Sequence, residues 1–231
     1  NNSGGECPVS EGIININGDH VQTLEILFLT TVIALLPSLL VMMTSFTRYI
    51  ISFSFLRSAI GTQQTPPNIV LIGIALFLTY FTMQPVFTQI RTEAYEPYAA
   101  EEISQEEFLS RAEVPLKEFM LRNTKTTTLT MFCDLAHIDV GAEIDTETAM
   151  KLPLRVVVPS FMTCELQRAF MIGLVLYIPF MLIDIVVSST LMSMGMIMLP
   201  PSMISMPFKL LLFVTINGWE LLFSSLVQSF H

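Results

Sequence analysis

The 231-residue chain is 52% hydrophobic and only 13% charged, and its mean hydropathy is +0.62. This composition excludes a disordered chain and argues against an ordinary soluble enzyme. The net charge of −9 makes nucleic acid an unsuitable partner, because the phosphate backbone would be repelled.

Four apolar stretches dominate the chain, and each is long enough to cross a bilayer, which takes about 20 apolar residues. They cover residues 24–46, 69–90, 170–199 and 207–230. Each contains prolines or charges that lipid would penalise, namely Glu25, Pro37, Pro85, Pro179, Asp184, Lys209 and Glu220. Because charge at bilayer depth usually faces protein or water, the pattern predicts an all-α fold of helical hairpins that pack against copies or partners.

The order of these stretches predicts four parts. They are an extended leader at 1–21, a first apolar hairpin at 22–90, an acidic helical segment at 91–156, and a second apolar hairpin with a methionine-rich loop at 157–231.

The connector between the first two apolar stretches, residues 47–68, predicts the orientation of the chain. It carries Arg48 and Arg57 and no acid, and short cytoplasmic loops are enriched in Lys and Arg. We therefore expect the connector inside the cytoplasm, and the N-terminus and the acidic segment outside. A chain that starts at Asn1 fits removal of a signal peptide, and a truncated chain is the alternative.

The acidic segment carries helix signals. Ser104 and Glu107 have the spacing of a capping box at a helix start. Pro115 suits the first turn of a further helix, because proline lacks the N–H that is unsatisfied there anyway. The polar stretch 141–151 is expected to be a loop.

No catalytic or metal-binding set is recognisable, which predicts that the protein is not an enzyme and takes no cofactor. Cys133 and His137 would share a helix face with Asp139 nearby, but a structural zinc site wants four ligands. Cys7 and Cys133 both fall in segments predicted to lie outside, where disulfides persist. A bridge between them stays open, since sequence alone provides no geometry.

Charged residues in and beside the second hairpin form two candidate pairs. Asp184 and Lys209 are lone charges on its opposite arms, and with a turn expected at 199–202 they lie at different heights. We therefore expect them to pair between neighbouring copies, as a structural ion pair or as a group that senses protons or gates movement. Glu165 and Arg168 are three apart and predict an ion pair at the boundary of the apolar stretch.

Methionines alternate along the stretch TLMSMGMIMLPP, at Met192, Met194, Met196 and Met198. A spacing of two does not place them on one helix stripe, and Gly195 and Pro200 favour a loop at the hairpin tip. Methionine is flexible and apolar. A ring of such loops from several copies could close a pore around passing chains, and ordinary core filling is the other interpretation.

Long runs along the chain resemble one known family. They are TSFTRYIISFSFLRSAIGTQQTPPNIVLIGIALFLTYF (44–81), PLKEFMLRNT (115–124), VVPSFMTCELQRAF (157–170) and the region 178–230. These runs are similar to the FliP family of the flagellar type III secretion export gate. The resemblance implies a pentameric ring with FliQ-like and FliR-like proteins around a central channel. It also implies a place in the bacterial inner membrane and on the periplasmic side of the flagellar basal body, and a cargo of unfolded flagellar subunits.

The resemblance also assigns roles to particular residues. It implies a methionine-rich gasket at the pore, formed here by Met194, Met196, Ile197 and Met198. Isoleucine stands at 197, where the family commonly has a third methionine. The family's paired charges fall on Asp184 and Lys209. The corresponding subunit of a virulence injectisome is the nearest alternative function, and a small-solute transporter is a more distant one.

Overall fold

The computed structural model describes residues 41–230, apart from 63, 141–143 and 197, together with residues 27, 30, 31, 33–35 and 38. The predicted leader at 1–21, and part of the apolar stretch at 24–46, lie outside these residues. The described residues form helices and no β-strand, which confirms the predicted all-α fold. The chain divides into two compact units, Asn1–Leu40 and Val41–His231. In the first unit, the hydroxyl of Thr31 donates to the carbonyl of Leu27 at 2.7 Å.

The described helices of the second unit are numbered in chain order. They are α1 (Phe46–Ile60), α2 (Asn68–Ile90), α3 (Glu96–Ala99), α4 (Gln105–Arg122), α5 (Thr126–Leu135), α6 (Thr146–Lys151), α7 (Leu154–Ser193), α8 (Pro201–Thr215) and α9 (Gly218–Gln228). A π-helical turn, Arg91–Tyr95, joins α2 to α3 without a break.

Helix α1 lies at the centre of an apolar core, and it packs against α2 and α7. Tyr49, Phe53 and Leu56 recur at helical spacing on α1, and all three are buried. The helix ends at Gly61, whose φ of +88° is readily adopted by glycine. Residues from α7, α8 and α9 complete this apolar core.

The predicted connector at 47–68 is therefore mostly a buried helix, which changes the orientation argument. Arg48 is fully buried, whereas Arg57 is partly exposed and donates to the side-chain oxygen of Asn68. A buried arginine that is balanced by a carboxylate is not a loop charge of the kind that the positive-inside rule counts. Of the two arginines on which the orientation prediction depends, only Arg57 can still count as a cytoplasmic charge.

A second, outer core is enclosed by α4, α5, α6 and the first turns of α7. It contains Met120, Leu129, Cys133, Val157 and Phe161, all of them buried. The acidic segment therefore folds as a small helical cluster and contributes most of this core.

The boundaries of the outer helices correct two expectations. The hydroxyl of Ser104 accepts from the N–H of Glu107 at 3.3 Å, so α4 begins at the predicted cap. Pro115 lies inside α4 rather than in a first turn, because that cap starts the helix well before it. The expected loop at 141–151 holds the short helix α6, which begins where Asp145 accepts from the N–H of Thr148 at 2.8 Å.

Two helical segments among the described residues are long and apolar enough to cross a membrane, Asn68–Ala99 and Leu154–Ser193. Helices α8 and α9 together form a third candidate, bent by 63°. The bend falls at Asn217, which has a φ of +50°, and at Gly218, where a methyl group would overlap the ring of Phe213. The prediction of four apolar segments includes residues outside the described part of the chain and stays a prediction.

Candidate functional site: the methionine loop and the buried ion pairs

The methionine-rich stretch leaves α7 through a left-handed glycine. Gly195 has a φ of +75°, and its N–H donates to the carbonyl of Met192 at 3.1 Å. The N–H of Met196 donates to the carbonyl of Leu191 at 3.0 Å. This pair of bonds is the Schellman arrangement, which satisfies carbonyls that the helix end would leave free. The backbone therefore turns sharply at Gly195, as the sequence pattern predicted.

The loop presents its methionine side chains away from both cores. Met194 is 66% exposed, Met196 42% and Met198 98%. Ile197, the fourth predicted gasket residue, lies outside the described residues. The next helix begins at Pro201, where proline suits the first helical position. Within the chain, the three described methionines of the loop fill no core.

An ion pair joins the helices on either side of the loop. The Nζ atom of Lys209 lies 2.7 Å from Oδ2 of Asp184, and it also donates to the carbonyl of Ala59 at 3.1 Å. Lys209 is buried, and Asp184 is partly exposed. Because Ala59 is in the last turn of α1, the ammonium group also meets the negative end of that helix. The contact therefore ties α7, α8 and α1 together at one point.

This pairing occurs within one chain, not between neighbouring copies. The turn begins at the end of α7, after Ser193, and is complete at Pro201, so the expected turn at 199–202 was placed too late. Asp184 lies a certain number of residues before the end of α7. Lys209 lies the same number of residues after the start of α8, to within one residue. The two charges are therefore level in the hairpin.

Glu165 is the centre of a second buried network. Its Oε1 lies 3.5 Å from Nη1 of Arg168, the predicted partner. Its closer partner is Arg48, which donates from Nε at 2.7 Å and from Nη2 at 2.5 Å. The side chains of Arg48 and Glu165 are both 0% exposed. A bidentate arginine–carboxylate contact of this kind is among the stronger polar contacts in proteins.

The role of Arg48 was missed by reasoning from sequence, although part of the signal was present. Tyr49, Ser52 and Phe53 lie around it at helical spacing, so a helix over this stretch would have placed Arg48 on a buried face. Its carboxylate partner is 117 positions away in sequence. No local pattern reveals a contact over that separation.

Thiols and metal ligands contribute little to the site. Within the described part of the chain, no group of three or more His, Cys, Asp or Glu side chains could hold a metal ion. Cys133 and Cys164 are buried free thiols, and burial raises the pKa of the Cys133 thiol. Cys7, the other candidate for a disulfide, lies outside the described residues. Cys133 therefore acts as a small apolar core residue.

Large apolar side chains cover the outer faces of α2 and α7. The most exposed of them include Phe77, Phe81, Leu174, Val175 and Val186. A single chain in water rarely exposes apolar area on this scale. The membrane-length helices and these faces together define a helical membrane protein that presents a short methionine loop.

Comparison with known proteins identifies the family. The FliP family matches residues 29–226. A flagellar biosynthetic protein FliP from Aquifex aeolicus is 49% identical over 214 residues, which cover 93% of this chain and 88% of the relative. The Pectobacterium carotovorum protein of the same name is 50% identical over 217 residues, covering 93% of this chain and 82% of the relative. The Bacillus subtilis protein is 49% identical over 209 residues, with 90% and 92% covered. The chain belongs to the FliP family.

Proposed function

We propose that the protein is a channel-forming subunit of the flagellar protein export gate. Membership of the FliP family makes it a component of the flagellar export apparatus. The three relatives described above are all named for flagellar biosynthesis, which favours a flagellar role over that of a virulence injectisome. In this role the protein provides structure and a passage, and unfolded flagellar subunits are the cargo.

The exposed methionine loop is the observation that carries this proposal. Three apolar, flexible side chains, Met194, Met196 and Met198, extend from a loop whose backbone is set by Gly195 and Pro200. Exposed methionine is costly in water unless another surface covers it. Loops from neighbouring copies would cover one another around a central opening. Flexible thioethers can then seal against ions and still deform around chains of any sequence.

The ion pair at the base of the loop supports the same proposal. Asp184 and Lys209 hold α7 and α8 in register, and the bond from Lys209 to Ala59 anchors both to α1. A loop that seals a passage needs a rigid base, because the seal depends on where its tip lies. We assign this pair a structural role in the hairpin at 157–231.

The exposed apolar faces support assembly with neighbours. The outer faces of α2 and α7 suit contact with lipid or with other apolar helices, and the outer cluster carries the acidic surface that suits water. We therefore propose a homo-oligomer, a pentamer by family resemblance, with FliQ-like and FliR-like partners in the inner membrane. The hairpins at 22–90 and 157–231 would surround the channel, and the segment at 91–156 would face the periplasm.

The proposal is tested by removing side chains from the loop. The double variant Met196→Ala/Met198→Ala is expected to raise the permeability of producing cells to small ions several-fold while export is idle. The matched control is Met192→Ala/Met203→Ala, because these methionines are 69% and 68% exposed but lie outside the loop on α7 and α8. The measurement is ion leakage at equal amounts of protein in the membrane. Unchanged permeability in the loop variant, or an equal leak from the control, would remove the seal from the proposal.

A further inference from the structure

The two cores meet at the buried guanidinium group of Arg48. Two of its nitrogens bind Glu165, and the third, Nη1, donates to the backbone carbonyl of Ser229 at 3.1 Å and to its hydroxyl at 2.7 Å. The centre of the guanidinium lies 3.4 Å from the centroid of the Phe230 ring, which is cation–π geometry. All three nitrogens and one face of Arg48 are therefore engaged, and three of these five contacts go to residues 229–230.

Phe230 contacts one aromatic ring from each core. Its centroid lies 5.6 Å from the ring of Tyr49 in α1, which belongs to the apolar core. It lies 6.0 Å from the ring of Phe119 in α4, in a stacked arrangement. Phe119 in turn packs edge-on against Phe161, a central residue of the outer core, at 5.9 Å. A continuous row of aromatic contacts thus runs from one core to the other through Phe230.

We propose that residues 229–230 are a docking segment that couples the outer helices to the apolar helices, with Arg48 as the positioning residue. Glu165 orients the guanidinium so that Nη1 meets Ser229 and the planar face meets Phe230. Lysine could not replace it, because an ammonium group has neither the fork nor the flat face. The segment follows α9, so docking fixes the end of the second hairpin against both α1 and α4. This coupling does not depend on the proposed channel.

The experiment compares amide hydrogen exchange of the full chain in detergent for Phe230→Ala and Leu226→Ala. Leu226 is the matched control, because it is buried in α9 but belongs only to the apolar core. Phe230→Ala is expected to speed exchange in the last turn of α4 by about tenfold, since loss of the stacking and cation–π contacts favours local opening there. Leu226→Ala is expected to leave that turn unchanged.

Two further variants keep the test decisive if Phe230→Ala does not fold. Ser229→Ala removes the hydroxyl that accepts from Arg48 and donates to the carbonyl of Leu226, and it is expected to speed exchange in α4 by about threefold. Arg48→Lys keeps a cation beside Glu165 but loses the fork, and it is expected to give a rise of about tenfold. Unchanged exchange in α4 for these variants, or an equal rise in Leu226→Ala, would overturn the coupling. The readout is independent of export, so failure of the channel proposal would leave it unaffected.

Discussion

The outer core and the apolar core differ in what surrounds them. The outer helices carry charged surface pairs, such as Arg111 with Glu107 at 2.7 Å and Lys151 with Glu147 at 3.1 Å. The helices of the apolar core instead present bare apolar faces, on which Phe77 is 79% exposed. Both cores are built from buried apolar side chains, so the difference lies in the surroundings that each exterior fits. Water suits the first exterior, and lipid or protein suits the second.

The long helix α7 passes through both regions, which shows where the change of surroundings falls. Its first turns contribute Val157 and Phe161 to the outer core, whereas Leu174 and Val186 further along are exposed. A helix of 40 residues is about 60 Å long, about twice the thickness of the hydrocarbon core. Only part of α7 can therefore lie in lipid, and the network around Glu165 lies between the turns that pack in the outer core and the turns with exposed apolar side chains.

The largest expected effect is at that boundary. Glu165→Ala would leave Arg48 buried without its carboxylate and would also remove the ion-pair partner of Arg168, which would keep its hydrogen bond to Asn123. We expect a loss of about 5 kcal/mol in the free energy of unfolding, the upper end of the range for breaking a buried ion pair from one side. The measurement is chemical unfolding of the purified chain in detergent.

Glu147→Ala is the control for this prediction. It breaks an ion pair with Lys151 in which both side chains are largely exposed, so we expect a change of less than about 1 kcal/mol. Equal effects from the two variants would show that the burial of the Glu165 network carries no particular weight in stability.

A smaller effect on stability is expected from substituting one phenylalanine in each region, and the two variants distinguish the regions directly. Phe161→Ala opens a cavity in the outer core and should cost about 3 to 5 kcal/mol. Phe77→Ala removes the same side chain from an exposed face of α2 and should change the stability of the isolated chain by less than about 0.5 kcal/mol. Association with neighbouring subunits, measured by pull-down from membranes, should be weakened only by Phe77→Ala.

The reverse pattern for these two variants would mean that the assignment of the two exteriors is wrong. A large loss of stability from Phe77→Ala would show that this face is covered within the chain. Intact association after Phe77→Ala would show that lipid alone, not a protein neighbour, covers it.

Features with a local cause could be predicted from the sequence. The all-α fold follows from apolar length, the start of α4 from the capping box at Ser104, and the loop from Gly195 and the prolines after it. Each of these depends on residues within one or two helical turns of each other. The pairing partner of Glu165 in the same turn, Arg168, was also within reach.

Features with a distant cause could not be predicted. Arg48 was interpreted as a loop charge, because its neutralising carboxylate is far away in sequence and only tertiary packing brings the two together. The heights of Asp184 and Lys209 were misjudged, because helix α7 ends at Ser193, before the prolines that appeared to mark the turn. In the second case, the earlier end of α7 changed which charges are level in the hairpin.

The smallest expected effect is on the outer surface, at the start of α6, where the pH dependence is specific. Hydrogen bonds from the hydroxyl and the backbone N–H of Thr148 hold the pKa of the Asp145 carboxyl below its usual value of about 3.9. A carboxyl whose pKa is lower in the folded state adds stability above the unfolded pKa, and this contribution is lost as pH falls through the folded pKa. The NMR shift of the Thr148 amide should therefore titrate at a lower pH than an ordinary aspartate carboxyl. In Asp145→Asn, which keeps an oxygen acceptor but cannot ionise, that titration should be absent while α6 persists.

In Asp145→Ala, the first turn of α6 should exchange faster at every pH. A Thr148 titration that survives in Asp145→Asn would show that another group controls the start of this helix, and the outer surface would then hold a longer-range contact of the kind found at Arg48.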